Sequence, residues 1–250
     1  MLQYETGDNM KEFLEQVEKK LELVEKEEQE AIQQAAQVLF ESFTNQLVVH
    51  VFATGHSHMF MEELFYRAGG LVPINPIFVP SLMQHEGAIR STHLERLSGL
   101  AKEIYSSIEK LPQEPFIIVS NSGINAVPIE MAMLAKQDGH PVIAVTSVEM
   151  STQSESRAIQ QKKLYEIADI VIDNHVPFGD GVLAYEHTPV GAISSIIGSF
   201  IAQSLVLCVI EKYKEKGITP PIYQSANTPG GDTHNQTLYT TYQTRIRSLY

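Results

Sequence analysis

The chain has 250 residues, with 30 acidic against 18 basic side chains and a formal net charge of −12. That balance excludes a general nucleic-acid binder, whose affinity rests on clustered Lys and Arg neutralising phosphates, while the length suits one large domain or a domain with an appendage. A single cysteine, Cys208 inside "SFIAQSLVLCVI", excludes a disulfide scaffold and fits a reduced cytoplasmic protein whose thiol packs as a small hydrophobe.

The first residues, "MLQYETGDNMKEFLEQ", lack the basic start and apolar stretch of a secretory signal. Residues 8–45 carry Phe13, Val17, Leu21 and Val24 at helical spacing, then Ile32, Ala35, Ala36, Leu39 and Phe43. This predicts two helices, with "EKEEQE" as a solvated break, packing on a core or on a partner subunit. From residue 47 the texture changes. "LVVHVFA" (47–53), "PIFVP" (76–80), "PFIIVS" (115–120), "PVIAVTS" (141–147) and "DIVID" (169–173) read as strands, several apolar throughout and so buried on both faces.

Helices are expected between them at 57–69, 91–109, 126–138 and 153–168, and a long one at 190–214 ending at "KEKGI". The alternation predicts an α/β fold, a doubly wound parallel sheet of five strands between helical layers. "PPIYQS" reads as a last extended segment, and the remaining tail shows no clear period. No apolar run is expected to cross a membrane, because Gln203 and Ser204 interrupt the richest one. The expected organisation is a helical region over 1–45, a core domain over 46–217 and a C-terminal extension over 218–250.

In an open parallel sheet ligands gather beyond the carboxyl ends of the strands. There the chain places "TGHS", "SNSGIN" and "TSVEMS" after the first, third and fourth strands, all rich in hydroxyls. Gly123 lets backbone approach a ligand, Pro128 suits the first turn of the following helix, and N–H groups at that helix start suit an anion. One such loop alone would be ordinary capping, but three after successive strands favour a binding site. The P-loop, the G-x-G-x-x-G dinucleotide fingerprint and the G-x-S-x-G nucleophile elbow do not occur at these positions. His56 and His58 lack the partners of a zinc motif, so no metal and no cofactor are expected.

"ATGHS", "SNSGIN" and "IAVTS" together resemble the sugar isomerase (SIS) domain, and residues 27–65 look most like bacterial phosphoheptose isomerases. The resemblance covers roughly residues 8–215 and implies a three-layer αβα phosphosugar-binding fold in an uncharacterised bacterial SIS group. It implies phosphate contacts from Ser57, Ser120, Ser122 and Asn125, with Asn121 and Ser147 nearby, and a homodimer or homotetramer that shares its sites. Arg67 stands where phosphoheptose isomerases keep a glutamate, and Ser199 where they keep a histidine. Glu63, one turn earlier, is then the expected base, with His58 or His187 assisting ring opening or polarising the carbonyl. Three readings stay open: an aldose/ketose sugar-phosphate isomerase, a non-catalytic phosphosugar sensor, and an amino-sugar phosphate lyase or etherase.

Overall fold

The computed structural model describes residues 9–250. Two helices lead, α1 (Asn9–Glu27) and α2 (Gln29–Thr44). The expected break falls between them, but Glu28 is not a solvated turn residue. Its carboxylate accepts the Asp173 N–H at 3.0 Å and meets the His175 ring at 2.9 Å, pinning the helix junction to the end of the last sheet strand. That contact holds the His175 pKa above its ordinary value.

The sheet contains β1 (Val49–Ala53), β2 (Ile74–Pro76), β3 (Phe116–Val119), β4 (Val142–Thr146) and β5 (Ile170–Asp173). All pairs are parallel, in the order β2-β1-β3-β4-β5. Period-two alternation divides the strands between two cores. Val49, Val51, Ala53, Ile117, Val119, Ile143, Val145 and Ile172 face one cluster, which also holds the buried faces of α1 and α2. Phe52, Phe116, Ile118, Val142 and Ala144 face the other, built with α5 (Leu100–Ser106) and α6 (Ala126–Gln137). Burial on both faces explains why the strands read as continuous apolar runs.

The long helix α8 (Ser194–Glu215) packs against α2 and against α3 (His58–Leu64). By length and composition α8 is apolar enough to cross a membrane, which corrects the expectation that no segment reaches that threshold. Here it buries Ile197, Ile201, Ala202, Leu205, Val206, Val209 and Tyr213 in the first core. Cys208, half-buried on this helix, has its thiol pKa pushed up by burial, as suits a packing residue.

Other expectations give way to local chemistry. The helix expected at 57–69 stops at Leu64, because Tyr66 adopts φ +51° and packs against Tyr223 and Tyr239. The one expected at 91–109 is two, α4 (Ala88–Leu94) and α5, separated where Gly99 takes φ +90°. The helix expected at 153–168 does not form. A short α7 (Val148–Thr152) is followed by irregular chain and a single 3₁₀ turn at Leu164–Glu166. The segment before α8 is a hairpin, β6 (Gly181–Tyr185) and β7 (Thr188–Ala192), and the tail forms α9 (Gly231–Tyr242) over Val48, Val72, Tyr223 and Ile246.

Candidate functional site

Strand order reverses between β1 and β3, so the crevice beyond their carboxyl ends is where ligands of an open sheet bind. The loops after both strands meet there. A cleft at this edge is lined by His56, Ser57, Asn121 and Asn174 together with Ser194 and Ser195 from the start of α8. Asn174 Nδ2 donates to Asn121 Oδ1 at 2.9 Å, tying the β3 and β5 loops together.

The loop 120–125 is held from outside, carbonyl by carbonyl. Asn121 O accepts the Ser147 N–H at 2.9 Å, Ser122 O the Ser151 hydroxyl at 2.6 Å, Gly123 O the Leu164 N–H at 2.9 Å, and Ile124 O the Arg157 N–H at 2.8 Å. In a trans peptide the N–H points opposite to its carbonyl. The N–H groups of Ser122, Gly123, Ile124 and Asn125 are therefore aimed away from these flanking donors. Gly123 N–H reaches Ser120 Oγ at 3.3 Å, and the other three find no acceptor among the described residues. The N–H groups of Ser122, Ile124 and Asn125, left without acceptors just before a 12-residue helix, are a candidate anion cradle.

Gly123 is required by this geometry. It takes φ +61°, and a Cβ there would lie 2.5 Å from Ser151 Oγ and 2.7 Å from Thr146 Oγ1.

The expected phosphate residues take different places around the cradle. Ser57 and Asn121 line the cleft, and neither Ser57 Oγ nor Ser122 Oγ has a partner among the described residues. Ser120 is buried beneath the loop. Asn125 occupies the N-cap position of α6 without capping it, because its Oδ1 accepts from Arg157 Nη1 at 2.7 Å. Ser147 is fully buried; its hydroxyl donates to Val176 O at 2.6 Å and accepts Met150 N–H at 3.0 Å, which caps α7.

The expected acid–base residues are not gathered in the cleft. Glu63 Oε1 accepts from Gln203 Nε2 at 2.7 Å and pairs with Arg67 Nε at 3.0 Å, locking α3 to α8. His58 is buried, with Nδ1 on Gly55 O at 2.9 Å. Burial lowers its pKa, so the ring is neutral, holding the "TGHS" turn with Nδ1–H. His187 is exposed at the β6–β7 turn. None of the three lines the cleft.

Two residues outside the expected set join the loops. Glu95 Oε2 accepts from Thr54 Oγ1 at 2.7 Å, and its carbonyl accepts the Val127 N–H in the first turn of α6. Arg157 holds Asn125. No local sequence signal marked either residue, since each reaches the site only through tertiary placement. A larger cleft of about 430 Å³ lies elsewhere, between Phe78 at the β2 edge, Ser107 and the C-terminal tail. It is bordered by none of the loops that follow the central strands.

A family model of the SIS domain matches residues 12–147, more than half of the chain. The chain belongs to the SIS-domain family. Relatives of this SIS protein extend over nearly its full length. A UPF0309 protein of Geobacillus kaustophilus is 42% identical over 240 residues, covering 95% of this chain and 96% of the relative. One from Halalkalibacterium halodurans is 41% identical over 239 residues, with 95% and 96% covered. Among solved structures, the fold is similar to a phosphoheptose isomerase from Neisseria gonorrhoeae, with TM-score 0.53, 14% identity, and 81% of this chain and 97% of that one covered. A phosphoheptose isomerase from Francisella tularensis gives TM-score 0.51 at 14% identity, with 83% and 100% covered.

Proposed function

We propose that this SIS protein binds a phosphorylated sugar, seating the phosphate in the 120–125 cradle and the sugar in the cleft between Ser57, Asn121, Asn174 and the start of α8. The observation that carries this reading is the set of outward-held carbonyls that leaves the N–H groups of Ser122, Ile124 and Asn125 without acceptors at the sheet's switch point. Each hydrogen bond to a charged partner contributes about 1.5–3 kcal/mol. Three such donors, with the Ser57 and Ser122 hydroxyls, are enough to hold a phosphomonoester. Ser120 and Ser147 then shape the loops from beneath, and the expected phosphate role of Ser147 passes to its neighbours.

For turnover, the reading is an isomerase that moves a proton between adjacent carbons of the open-chain sugar. No carboxylate lines the cleft among the described residues; Glu95 is the candidate base in place of Glu63 because it sits one hydrogen bond from Thr54, in the loop after β1, whereas Glu63 is turned to Gln203 and Arg67. The same pairing of Glu63 favours a second reading, a phosphosugar sensor without turnover. Proton NMR of a sugar phosphate in deuterium oxide separates the two. An isomerase exchanges the C2 proton and forms product, and Glu95→Gln lowers the rate at least 100-fold with binding retained; a sensor does neither. The protein is read as a cytoplasmic homodimer, with exposed apolar Ile196 and Leu207 on α8 and Leu14 on α1 as the contact face.

Binding itself is tested by thermal unfolding with pentose and hexose phosphates. At 100 times its dissociation constant a ligand stabilises the fold by about 2.7 kcal/mol, or about 5–10 °C for a chain of this size. The paired variant Ser120→Ala with Ser122→Ala is expected to reduce the shift, because it removes the Ser122 hydroxyl and the Ser120 Oγ that holds Gly123 N–H while the backbone donors stay. A panel without any shift for the wild type would remove the phosphate assignment; a full shift in the variant would remove the two serine hydroxyls from it.

A further inference from the structure

The segment after α7 carries the only cation that touches the cradle among the described residues. It was expected to be helical, and its composition permits a helix. Instead, its backbone is committed to the cradle through Arg157 N–H on Ile124 O and Leu164 N–H on Gly123 O. Ala158 and Leu164 are buried as anchors, while Ile159 between them is exposed. The Ser156 hydroxyl closes the segment on itself by donating to Lys162 O at 2.6 Å. Arg157 is thus carried on a loop braced at both ends, with its backbone one hydrogen bond from the anion-binding N–H groups.

Asn125 identifies what the guanidinium is for. An asparagine at the N-cap position ordinarily turns its oxygen to the second or third N–H of its own helix. Asn125 has extended backbone there and is buried, yet its Oδ1 accepts from Arg157 Nη1 at 2.7 Å and caps nothing. The helix start is left open to an outside anion, and the amide that would have closed it fixes a cation beside it. A guanidinium carries five N–H donors in a planar fork. Asn125 uses one, and Arg157 is exposed, so its remaining donors face solvent and stay available to a ligand. Lys162 and Lys163 follow on the same segment, so three cations fall within seven residues of a chain whose net charge is −12.

We propose that Arg157 is the cationic arm of the phosphate cradle and sets its preference for a dianionic phosphomonoester over a carboxylated or uncharged sugar. This rests on the phosphosugar reading above. The backbone N–H groups accept any small anion; the guanidinium, positioned by Asn125, adds a charge-assisted contact that grows with ligand charge and fits phosphate oxygens in pairs. A neutral sugar gains nothing from it.

The test compares the wild type with Arg157→Gln and Arg157→Lys by calorimetric titration with hexose 6-phosphates, inorganic phosphate and the matching unphosphorylated sugars, at low and high salt. Arg157→Gln is expected to weaken sugar-phosphate binding 10- to 100-fold and to flatten its salt dependence, with affinity for the unphosphorylated sugar and the unliganded melting temperature unchanged. Arg157→Lys keeps the charge without the fork and is expected to fall between the two, which also serves if the glutamine variant folds poorly. A wild type that binds sugar phosphates while Arg157→Gln binds within twofold of it overturns the role of Arg157 and leaves the cradle standing. No binding by the wild type overturns both.

Discussion

Replacing Glu114 by alanine is expected to lower the melting temperature by about 10 °C, from a loss of about 3–5 kcal/mol. The Glu114 carboxylate is completely buried, just before β3, and accepts four kinds of donor. Val48 N–H reaches it at 3.0 Å, Leu111 N–H at 2.7 Å, His50 Nε2 at 2.9 Å, and Arg245 Nη2 meets both oxygens at 2.9 Å. Asn75 donates to His50 Nδ1 at 2.9 Å, which leaves the ring proton on Nε2, facing Glu114. Alanine would strand all these donors and release the tail that Arg245 holds.

The same network sets an acid limit on stability. Burial alone would push the Glu114 carboxyl pKa up, but the His50 ring and the Leu111 and Val48 N–H groups outweigh it and bring the value down to about 2. A folded-state pKa below the unfolded value means the native state resists protonation. Its contribution is present in full above the ordinary pKa near 4.5 and is lost as pH falls toward about 2, on the order of 3 kcal/mol in all. Urea unfolding from pH 7 to pH 2 should show that extra decline in the wild type and not in Glu114→Ala. Parallel pH profiles would mean that Glu114 carries no such charge in the fold.

Gly123→Ala is the second large effect. An alanine at φ +61° costs about 1–2 kcal/mol in backbone conformation. Its Cβ overlaps Ser151 Oγ and Thr146 Oγ1, which adds about 1–3 kcal/mol unless the loop moves. If it moves, the Ser151 hydroxyl leaves Ser122 O and the N–H groups lose their alignment. The expected result is a destabilised protein that no longer responds to sugar phosphates. Gly139→Ala, also at positive φ but with open space around its Cβ position, should keep the response and serves as the control.

The fold was largely legible because its strands are buried on both faces, so "FIIV" and "VIAVT" stand out whatever surrounds them. α6 and α8 were legible for the same reason, each being apolar over most of its length. What escaped detection was structure whose partners are distant or polar. Residues 153–164 have helical composition, but the N–H groups of Arg157 and Leu164 bond the carbonyls of Ile124 and Gly123 instead. α9 is polar except at its end, where Leu238, Tyr239 and Tyr242 meet a small cluster with Val48 and Val72, too short a stretch to show a period. The hairpin before α8 turns at Glu186, with φ +54°, without the Asn-Gly or Asp-Gly pair that would announce it.

The candidate site divides in the same way. Loop positions read well, since small and hydroxyl residues after parallel strands have a physical reason to be there. Roles that depend on orientation did not. Glu63 has the right residue type one turn from the loop, yet faces Gln203 on α8; Glu95 and Arg157 look like surface charges and arrive at the loops through the fold.

The most direct measurement is a crystal structure of the protein soaked or grown with a sugar phosphate that raises its melting temperature. The phosphate is predicted on the 120–125 loop, its oxygens within hydrogen-bond distance of the Ser122, Ile124 and Asn125 N–H groups and of the Arg157 guanidinium. A phosphate bound elsewhere, for example in the cleft beside Arg245 and Arg247, with the 120–125 N–H groups left bare, would contradict the cradle.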